Sequence, residues 1–199
     1  MKVIGFCGAS GAGKTSLVEQ LIPRLKAAGQ RVSVVKHAHH PFDIDQRGKD
    51  SWRHRQAGAF EVVVASSRRL AKLREYEVQA EPTVHQLLAE LVEVDWVLVE
   101  GFKGADILKV EVWRQPLGRG ALYADDPFIV AVATDDPTRL PTATALPVLD
   151  LADPDGVAEF LLRTADRYEY RSPFDEAWAA QPGRRPGDAA GGGVAVGEG

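Results

Sequence analysis

Residues Gly8 to Thr15, with the sequence GASGAGKT, match the pattern G-x-x-x-x-G-K-[ST] of a phosphate-binding loop. Glycines in such a loop let consecutive backbone N–H groups turn toward one point, where they bind phosphate oxygens. Lys14 would supply a point charge for the β- and γ-phosphates, and the Thr15 hydroxyl would bind Mg²⁺. The pattern therefore predicts a nucleotide site formed by Ser10, Gly11, Ala12, Gly13, Lys14, Thr15 and Ser16.

A phosphate loop also needs an acidic group near the metal, at the end of a neighbouring buried strand. Glu100 ends the apolar run Trp96–Val99 and is followed by Gly101, which lets the chain turn away at the sheet edge. We therefore predict Glu100 as the metal-site carboxylate and, with Lys14, as a catalytic residue. Asp43 and Asp45, in a later loop, are the alternative acidic pair.

The segment after the second predicted strand is rich in histidine and in basic residues. His37, His39 and His40 lie within four residues and are either metal ligands or contacts for an anionic ligand. A basic group follows directly: Arg47, Lys49, Arg53 and Arg55. In a chain of net negative charge this local excess indicates a phosphate-bearing ligand, with His37, Asp45 and Arg53 as candidate contacts, or simply a solvated helix face.

The preference for one purine base is weakly encoded. Many GTP-binding proteins read guanine with an aspartate that follows a late strand, and Asp135 or Asp136 occupies such a position. The motif N-K-x-D is absent, and turn formation before Pro137 explains both aspartates equally well.

The hydrophobic pattern predicts an α/β fold of the P-loop NTPase type, with a mostly parallel central sheet flanked by helices. Strands are expected at residues 3–7, 31–36, 60–65, 70–78, 95–100, 109–113 and 128–133. Helices are expected from the phosphate loop to Gly29 and at residues 52–56, 83–91 and 154–162.

Several local features sharpen this prediction. Pro23 is expected to kink the first helix, and Asp50 or Ser51 to cap the second. Thr83 and Gln86 have the spacing of a capping box. We predict one nucleotide-binding domain over residues 1–170 and a disordered tail over residues 171–199, which is largely Gly, Ala and Pro.

Composition limits the range of functions. A net charge of −4 and a pI near 5.8 give no basic footprint for nucleic acid. The single cysteine, Cys7, fits a reducing compartment. The start of the chain has no signal-peptide pattern and no run of about 18 apolar residues occurs, so we expect a cytoplasmic protein that does not interact with a membrane.

Four segments in this order, GASGAGKT, VVKHAHHPFDID, GKDSWRHRQAGA and VDWVLVEGFK, resemble the MobB family. Members of this family are P-loop GTP-binding adapters of molybdopterin-guanine dinucleotide biosynthesis. The resemblance covers about residues 2 to 165. The second and third segments are far more specific than the phosphate loop, which many families share.

The resemblance implies that GTP and Mg²⁺ bind through Gly11, Gly13, Lys14 and Thr15, with Glu100 near the metal. It implies slow GTP hydrolysis and a homodimer that acts in the cytoplasm beside molybdopterin guanylyltransferase. Molybdopterin or its guanine dinucleotide is the further ligand that it implies.

Two other functions share the same loop. A small-molecule P-loop kinase would need an arginine-rich lid, for which Arg68, Arg69, Lys72 and Arg74 are available. A nucleotide-driven metal-insertion GTPase would use His37, His39 and His40.

Overall fold

The computed structural model describes residues 1–38, 42–78, 81–115 and 120–174. The chain divides into two compact units, one formed by Met1–His37 with the chain from Thr83 onward, and the other by Ala38–Pro82. The sequence analysis did not distinguish the second unit. Its single domain over residues 1–170 stays a prediction, and most of the predicted tail lies outside the described residues.

The first unit contains six strands and three α-helices in the described residues. The strands are β1 (Lys2–Cys7), β2 (Val32–Lys36), β5 (Trp96–Glu100), β6 (Lys109–Trp113), β7 (Ile129–Thr134) and β8 (Val148–Asp150). The helices are α1 (Lys14–Ala27), α3 (Val84–Leu88) and α4 (Pro154–Arg163), with short 3-10 helices at Pro137–Arg139 and Ala165–Tyr168.

The six strands form one parallel sheet in the order β2-β5-β1-β6-β7-β8. Strand β1 therefore lies between β5 and β6. The next strand in sequence, β2, lies on the β5 side of β1, and the later strand β6 lies on the other side. Crevices at the carboxyl ends of such central strands are where ligands bind in open α/β sheets. The predicted parallel α/β fold is confirmed.

Alternating side chains of the central strands fill two separate cores. Ile4 and Phe6 of β1 pack with α1 on one face, whereas Val3 packs with α3 on the other. The buried face of α1 contributes Leu17, Val18, Leu21 and Leu25. Each fully buried side chain of this size contributes about 1.5–3 kcal/mol to the free energy of unfolding. Strands β5 and β7 are covered on both faces, so nearly every position is buried and their sequences are continuously apolar.

Helix α1 continues through Pro23 to Ala27 and is followed by Gly29 at φ +79°. The proline therefore lies inside the helix, where it removes one backbone hydrogen bond. The helix is tied to α4 because the Arg24 guanidinium donates to both carboxylate oxygens of Asp155, at 2.7 and 2.9 Å.

Two buried charged side chains fix the position of β6. Lys109, only 1% exposed, pairs with Asp126 at 2.8 Å and donates to the carbonyls of Lys103 and Ala105. Glu111, 2% exposed, accepts hydrogen bonds from the backbone N–H groups of Leu122 and Tyr123. Each buried charge is thus paired or hydrogen-bonded, as burial requires. These bonds hold the first half of β6, and the strand then continues to Val112, which contacts the phosphate loop.

The second unit contains helix α2 (Asp50–Gln56) and the antiparallel hairpin of β3 (Glu61–Ala65) and β4 (Leu70–Arg74). The predicted cap of α2 is wrong. Lys49 is the N-cap residue and the helix has no side-chain cap, because Asp50 and Ser51 already lie in its first turn, where the Ser51 hydroxyl donates to Asp45.

Other boundaries differ by a few residues. β4 ends at Arg74 rather than at residue 78, α3 ends at Leu88, and β8 was not predicted. The capping box of Thr83 and Gln86 is confirmed, with both reciprocal hydrogen bonds present. No helix in the described ranges is long and apolar enough to cross a membrane.

Cys7, at the end of β1, is 1% exposed and packs with Trp113 and Tyr123. Burial, with a smaller effect of the Glu111 carboxylate, raises the pKa of the thiol to about 12. The thiolate is the reactive form of cysteine, so the folded protein holds this group in its inert form.

We therefore expect Cys7 to resist alkylation by iodoacetamide at about pH 8 until the protein unfolds, because an unfolded cysteine ionises near 8.5. The raised pKa also means that the stability contribution of this group is present below about pH 8.5 and falls as the pH rises toward the folded value. The measurement is mass spectrometry of the labelled native chain, with the guanidinium-unfolded chain as control. Complete labelling of the native chain within minutes would contradict the burial of the thiol.

Candidate functional site

The phosphate loop begins where β1 passes β6, and Gly8 is obligatory at that point. Its φ is +128°, a conformation open to glycine, and a Cβ there would collide with the carbonyl group of Val112. Both obstacles are backbone features that no side-chain movement relieves. The loop therefore leaves the sheet in contact with β6, and Gly13, at φ +103°, leads into α1 at the other end.

Lys14 folds back over the loop. Its Nζ donates to the carbonyl of Gly8 at 3.0 Å and to that of Ala9 at 2.7 Å. Partial burial lowers the pKa of Lys14, the nearby Lys36 acts in the same direction, and the Glu100 carboxylate opposes both. The ammonium group thus lies within the loop, beside one acidic and one basic side chain.

Thr15 and Glu100 meet at the carboxyl edge of the sheet. The Thr15 hydroxyl donates to Glu100 Oε1 at 2.6 Å, and Lys36 Nζ lies 3.4 Å from the same oxygen. The register explains the meeting, because Glu100 is paired with Phe6 of β1 on one side and with Lys36 of β2 on the other. The side chain of Glu100 is 10% exposed.

This pair of residues fits Mg²⁺. Magnesium prefers hard oxygen ligands and is held in nucleotide sites by one or two protein groups plus phosphate and water. A hydroxyl and a carboxylate 2.6 Å apart, at the start of α1, provide the protein part of such a set. The structure therefore brings together Lys14, Thr15 and Glu100, as the sequence analysis predicted for the site.

His37 stacks on Phe102 beside this carboxylate, with ring centroids 4.6 Å apart and planes inclined by 22°. The backbone N–H of His37 donates to the carbonyl of Glu100 at 2.9 Å. Gly101, at φ +97°, allows the close approach, since a Cβ there would lie 2.8 Å from the Cβ of His37. The structure thus gives His37 a packing role at the ends of β2 and β5.

The proposed histidine metal site has only part of its residues in the described structure, because His39 and His40 lie outside the described ranges. Among the residues that the structure describes, no group of three or more His, Cys, Asp or Glu side chains is arranged to hold a metal ion.

Arg114 is a site residue that the sequence analysis missed. It follows β6 directly, and its guanidinium Nη2 and Cζ lie 3.6 and 3.7 Å from the point where a Cβ on Gly13 would be. Its Nε lies 3.2 Å from Asp135 Oδ2. The strand-end rule that identified Glu100 after β5 would also have identified Arg114 after β6.

The two aspartates after β7 have different roles. Asp136 accepts hydrogen bonds from the backbone N–H and the hydroxyl of Thr138, at 3.0 and 2.6 Å, and these bonds lower the pKa of Asp136. It also pairs with Arg139 at 3.6 Å. Asp136 thus forms the turn, as one of the two readings of the sequence held, and Asp135 is left facing Arg114.

The second unit is organised by Arg55. The guanidinium is 12% exposed and binds Asp43, Asp45 and Glu75 at 3.1, 3.0 and 2.6 Å. These three carboxylates raise the pKa of Arg55, with Glu75 as the largest contribution. Desolvation opposes ionisation of Asp45, but hydrogen bonds from Ser51, Arg55 and the backbone N–H of Gln46 hold its pKa below the usual value.

The candidate ligand residues of this unit therefore separate into two kinds. Asp45 is 6% exposed and engaged within the unit, whereas Arg53 is 70% exposed and makes one long ion pair of 3.7 Å with Asp50. Two basic residues considered for a kinase lid are also engaged, since Lys72 and Arg74 bind Glu61 at 3.3 and 2.7 Å.

Gly8→Ala should disrupt the phosphate loop, because it adds both backbone strain and a clash with the Val112 carbonyl. We expect a loss of about 3 kcal/mol or more in the free energy of unfolding. Gly29→Ala is the matched control, since Gly29 also has positive φ but has open space around it, and it should cost about 1–2 kcal/mol. Equal losses in urea unfolding would contradict the contact with β6.

Arg55→Ala should loosen the second unit, because three carboxylates lose their shared partner. We expect hydrogen exchange in residues 42–78 to become at least several-fold faster, with Arg53→Ala unchanged as the control.

The lowered pKa values of Asp43 and Asp45 set the pH dependence of this effect. Their contribution is full above the unfolded aspartate pKa of about 3.9 and is lost as the pH falls through the folded values. The difference between Arg55→Ala and the unmutated protein should therefore shrink below about pH 4. A difference that persists unchanged in acid would contradict the ion-pair account.

Comparison with known proteins identifies one matching family model and several similar proteins. The family model described as MobB, molybdopterin guanine dinucleotide synthesis protein B, matches residues 3–135. The molybdopterin-guanine dinucleotide biosynthesis adapter protein of Escherichia coli is 38% identical over 163 residues, which cover 80% of this chain and 91% of that protein. The protein of the same name from Haemophilus influenzae is 41% identical over 141 residues, which cover 69% of this chain and 77% of that protein.

Solved structures give the same assignment. The crystal structure of a MobB protein homolog from Bacillus stearothermophilus is 28% identical, covers 84% of this chain and 99% of its own, and superposes with a TM-score of 0.63. The family match spans more than half of the chain and includes the phosphate loop, Glu100 and Asp135. The chain therefore belongs to the MobB family.

Proposed function

We propose that this protein is a GTP-binding adapter with weak GTPase activity in molybdopterin guanine dinucleotide biosynthesis. The observation that carries the proposal is the contact of the Thr15 hydroxyl with the Glu100 carboxylate, next to Lys14 in a glycine-rich loop. The names of the relatives support the pathway, since those proteins are adapters of this biosynthesis.

The phosphates are proposed to bind the loop from Ser10 to Ser16. Its backbone N–H groups and the start of α1 favour an anion through their partial positive charge. Lys14 Nζ now donates to two loop carbonyls, and it would turn from them to the β- and γ-phosphate oxygens. The exchange replaces neutral acceptors by charged ones, which form stronger hydrogen bonds.

Mg²⁺ is proposed to bind Thr15 directly and Glu100 directly or through water. A bound Mg²⁺ neutralises charge on the β- and γ-phosphates. Lys36, 58% exposed, would remain as the counter-ion of Glu100 on the outer side.

Hydrolysis should be slow. Glu100 is engaged with Thr15 and Lys36, and it would have to leave these partners to act as a general base. We expect turnover of the isolated protein on the order of 10⁻² s⁻¹ or less, the range of GTPases without an external activating protein. Turnover in the range of about 1–100 s⁻¹, as in kinases, would contradict a GTPase of this kind.

The guanine base is proposed to be read by Asp135, whose carboxylate pairs with Arg114 through one oxygen, whereas Asp136 is engaged in the turn. The further ligand, molybdopterin or its guanine dinucleotide, carries phosphate. The exposed Arg53 of the second unit is the candidate contact for it, since its side chain makes only one long ion pair. His37 has its ring face against Phe102 near the metal site and is kept as a candidate contact.

The adapter role implies protein partners. By family resemblance we propose a homodimer in the cytoplasm that acts beside molybdopterin guanylyltransferase. The proposal predicts that adding the protein with GTP increases the yield of guanine dinucleotide cofactor, or its delivery to a molybdoenzyme, in a reconstituted reaction. An assembly reaction that proceeds equally without the protein would contradict the role.

Lys14→Ala should remove nucleotide binding and leave the fold intact, because the ammonium group lies in the loop and not in the core. We expect the affinity for GTP with Mg²⁺ to fall by roughly a hundredfold or more. Lys26→Ala, on the exposed last turn of the same helix, is the matched control and should bind as the unmutated protein does.

The measurement is titration calorimetry with GTP and ATP in parallel, with thermal unfolding as the check of the fold. Unchanged GTP binding by Lys14→Ala would refute the assignment of the loop. Tighter binding of ATP than of GTP would refute the choice of base.

A further inference from the structure

We propose that Arg114 is a second phosphate-contacting cation of this site, placed opposite Lys14 by β6 and held by Asp135. The inference rests on the proposed nucleotide function and deepens it. According to this proposal, the residue after β6 contacts the phosphate groups of a nucleoside di- or triphosphate.

The position of Arg114 follows from the sheet. β6 pairs with β1, with Cys7 opposite Glu111, so the first residues after both strands lie at the same edge. Gly8 touches the backbone of Val112, and Arg114 is two residues further along. The phosphate loop and Arg114 are thus fixed relative to each other by backbone contacts, and not by a flexible loop.

The guanidinium lies over the loop itself. Its Nη2 and Cζ are 3.6 and 3.7 Å from the Cβ position of Gly13, the glycine directly before Lys14. A Cβ at position 13 would be in ordinary van der Waals contact with this group. A positive group that lies this close to amides of a phosphate-binding nest is within reach of the anion that the nest binds.

The donors of Arg114 are not used within the described part of the chain. Its Nε–H is buried and has no hydrogen-bond acceptor there, although Asp135 Oδ2 is 3.2 Å away, so the pair is electrostatic without alignment. A buried donor without an acceptor is costly, and sites that leave one are built for another partner. The planar fork of arginine matches two phosphate oxygens at once.

Asp135 acts on Arg114 as a positioning residue. Trp113 is paired with Thr134 across β6 and β7, so Arg114 and Asp135 are adjacent at the edge. The two side chains are 40% and 47% exposed, and an ion pair this exposed adds little to stability. We infer that the ion pair instead keeps the Arg114 guanidinium over the loop and prevents it from extending into solvent.

The test compares guanosine, GMP, GDP and GTP, each with Mg²⁺, by titration calorimetry on the full chain. Arg114→Ala should weaken GDP and GTP by about tenfold or more, which is 1.4 kcal/mol, and change guanosine and GMP by less than about twofold. Arg114→Lys keeps the positive charge but not the planar guanidinium. Its affinity for GDP and GTP should lie between that of Arg114→Ala and that of the unmutated protein. The matched control is Arg31→Ala, which removes a 66% exposed arginine just before β2, at the opposite edge of the sheet, and should have no effect.

The outcomes separate this inference from the function on which it rests. If the unmutated protein binds no nucleotide, both are overturned. If it binds GTP and folded Arg114→Ala binds GTP equally well, this inference alone is overturned.

Equal weakening for guanosine and GTP would assign Arg114 to the base or to the fold, and would also overturn it. Should Arg114→Ala fail to fold, the same ratio of GTP to guanosine affinity is read from Arg114→Lys.

Discussion

The contact between Gly8 and the backbone of Val112 is the constraint on which the rest of the site depends. It forces the chain to leave β1 in a conformation open to glycine, and it fixes the first turn of the loop against β6. Because the contact joins two backbone segments, it anchors the start of the loop to the sheet. A binding nest of backbone amides benefits from such an anchor, since mobile amides would lose entropy on binding an anion.

The parallel sheet then brings the charged groups to one edge. β2 supplies Lys36, β5 supplies Glu100, α1 supplies Lys14 and Thr15, and β6 supplies Arg114. The nearly buried carboxylate accepts a hydrogen bond from a hydroxyl and pairs with an ammonium group, as burial of such a group requires. At this edge a carboxylate suited to a metal ion is surrounded by cationic side chains suited to phosphate.

The central strands could be predicted from the sequence because burial on both faces leaves a continuous apolar run, as in Trp96–Val99 and Ile129–Ala133. Glu100 was found by the same reasoning, since a strand-end acid followed by glycine is a local pattern. Arg114 also lies at a strand end, but no glycine follows it there as Gly101 follows Glu100, and its position over the loop is visible only from its contact with the distant Gly13.

The predicted cap of α2 was wrong for a related reason. The helix begins directly after Lys49, so Asp50 and Ser51 lie inside its first turn, and the Ser51 hydroxyl donates to Asp45 in the network around Arg55. That network includes Glu75, which is too distant in the sequence for a local capping pattern to show it. The short strand β8, three residues long and partly exposed, likewise lacks the apolar run that would identify it.

The proposed function depends above all on the binding of phosphate by the backbone amides of the loop. Hydrogen–deuterium exchange of the segment Gly8–Ser16, with and without saturating GTP and Mg²⁺, tests this claim directly. We predict slower exchange at Gly11 to Thr15 and no change in α4, whose Asp155 binds Arg24 near the end of α1 that is remote from the loop. Saturable binding of GTP that leaves exchange in the loop unchanged would contradict the account.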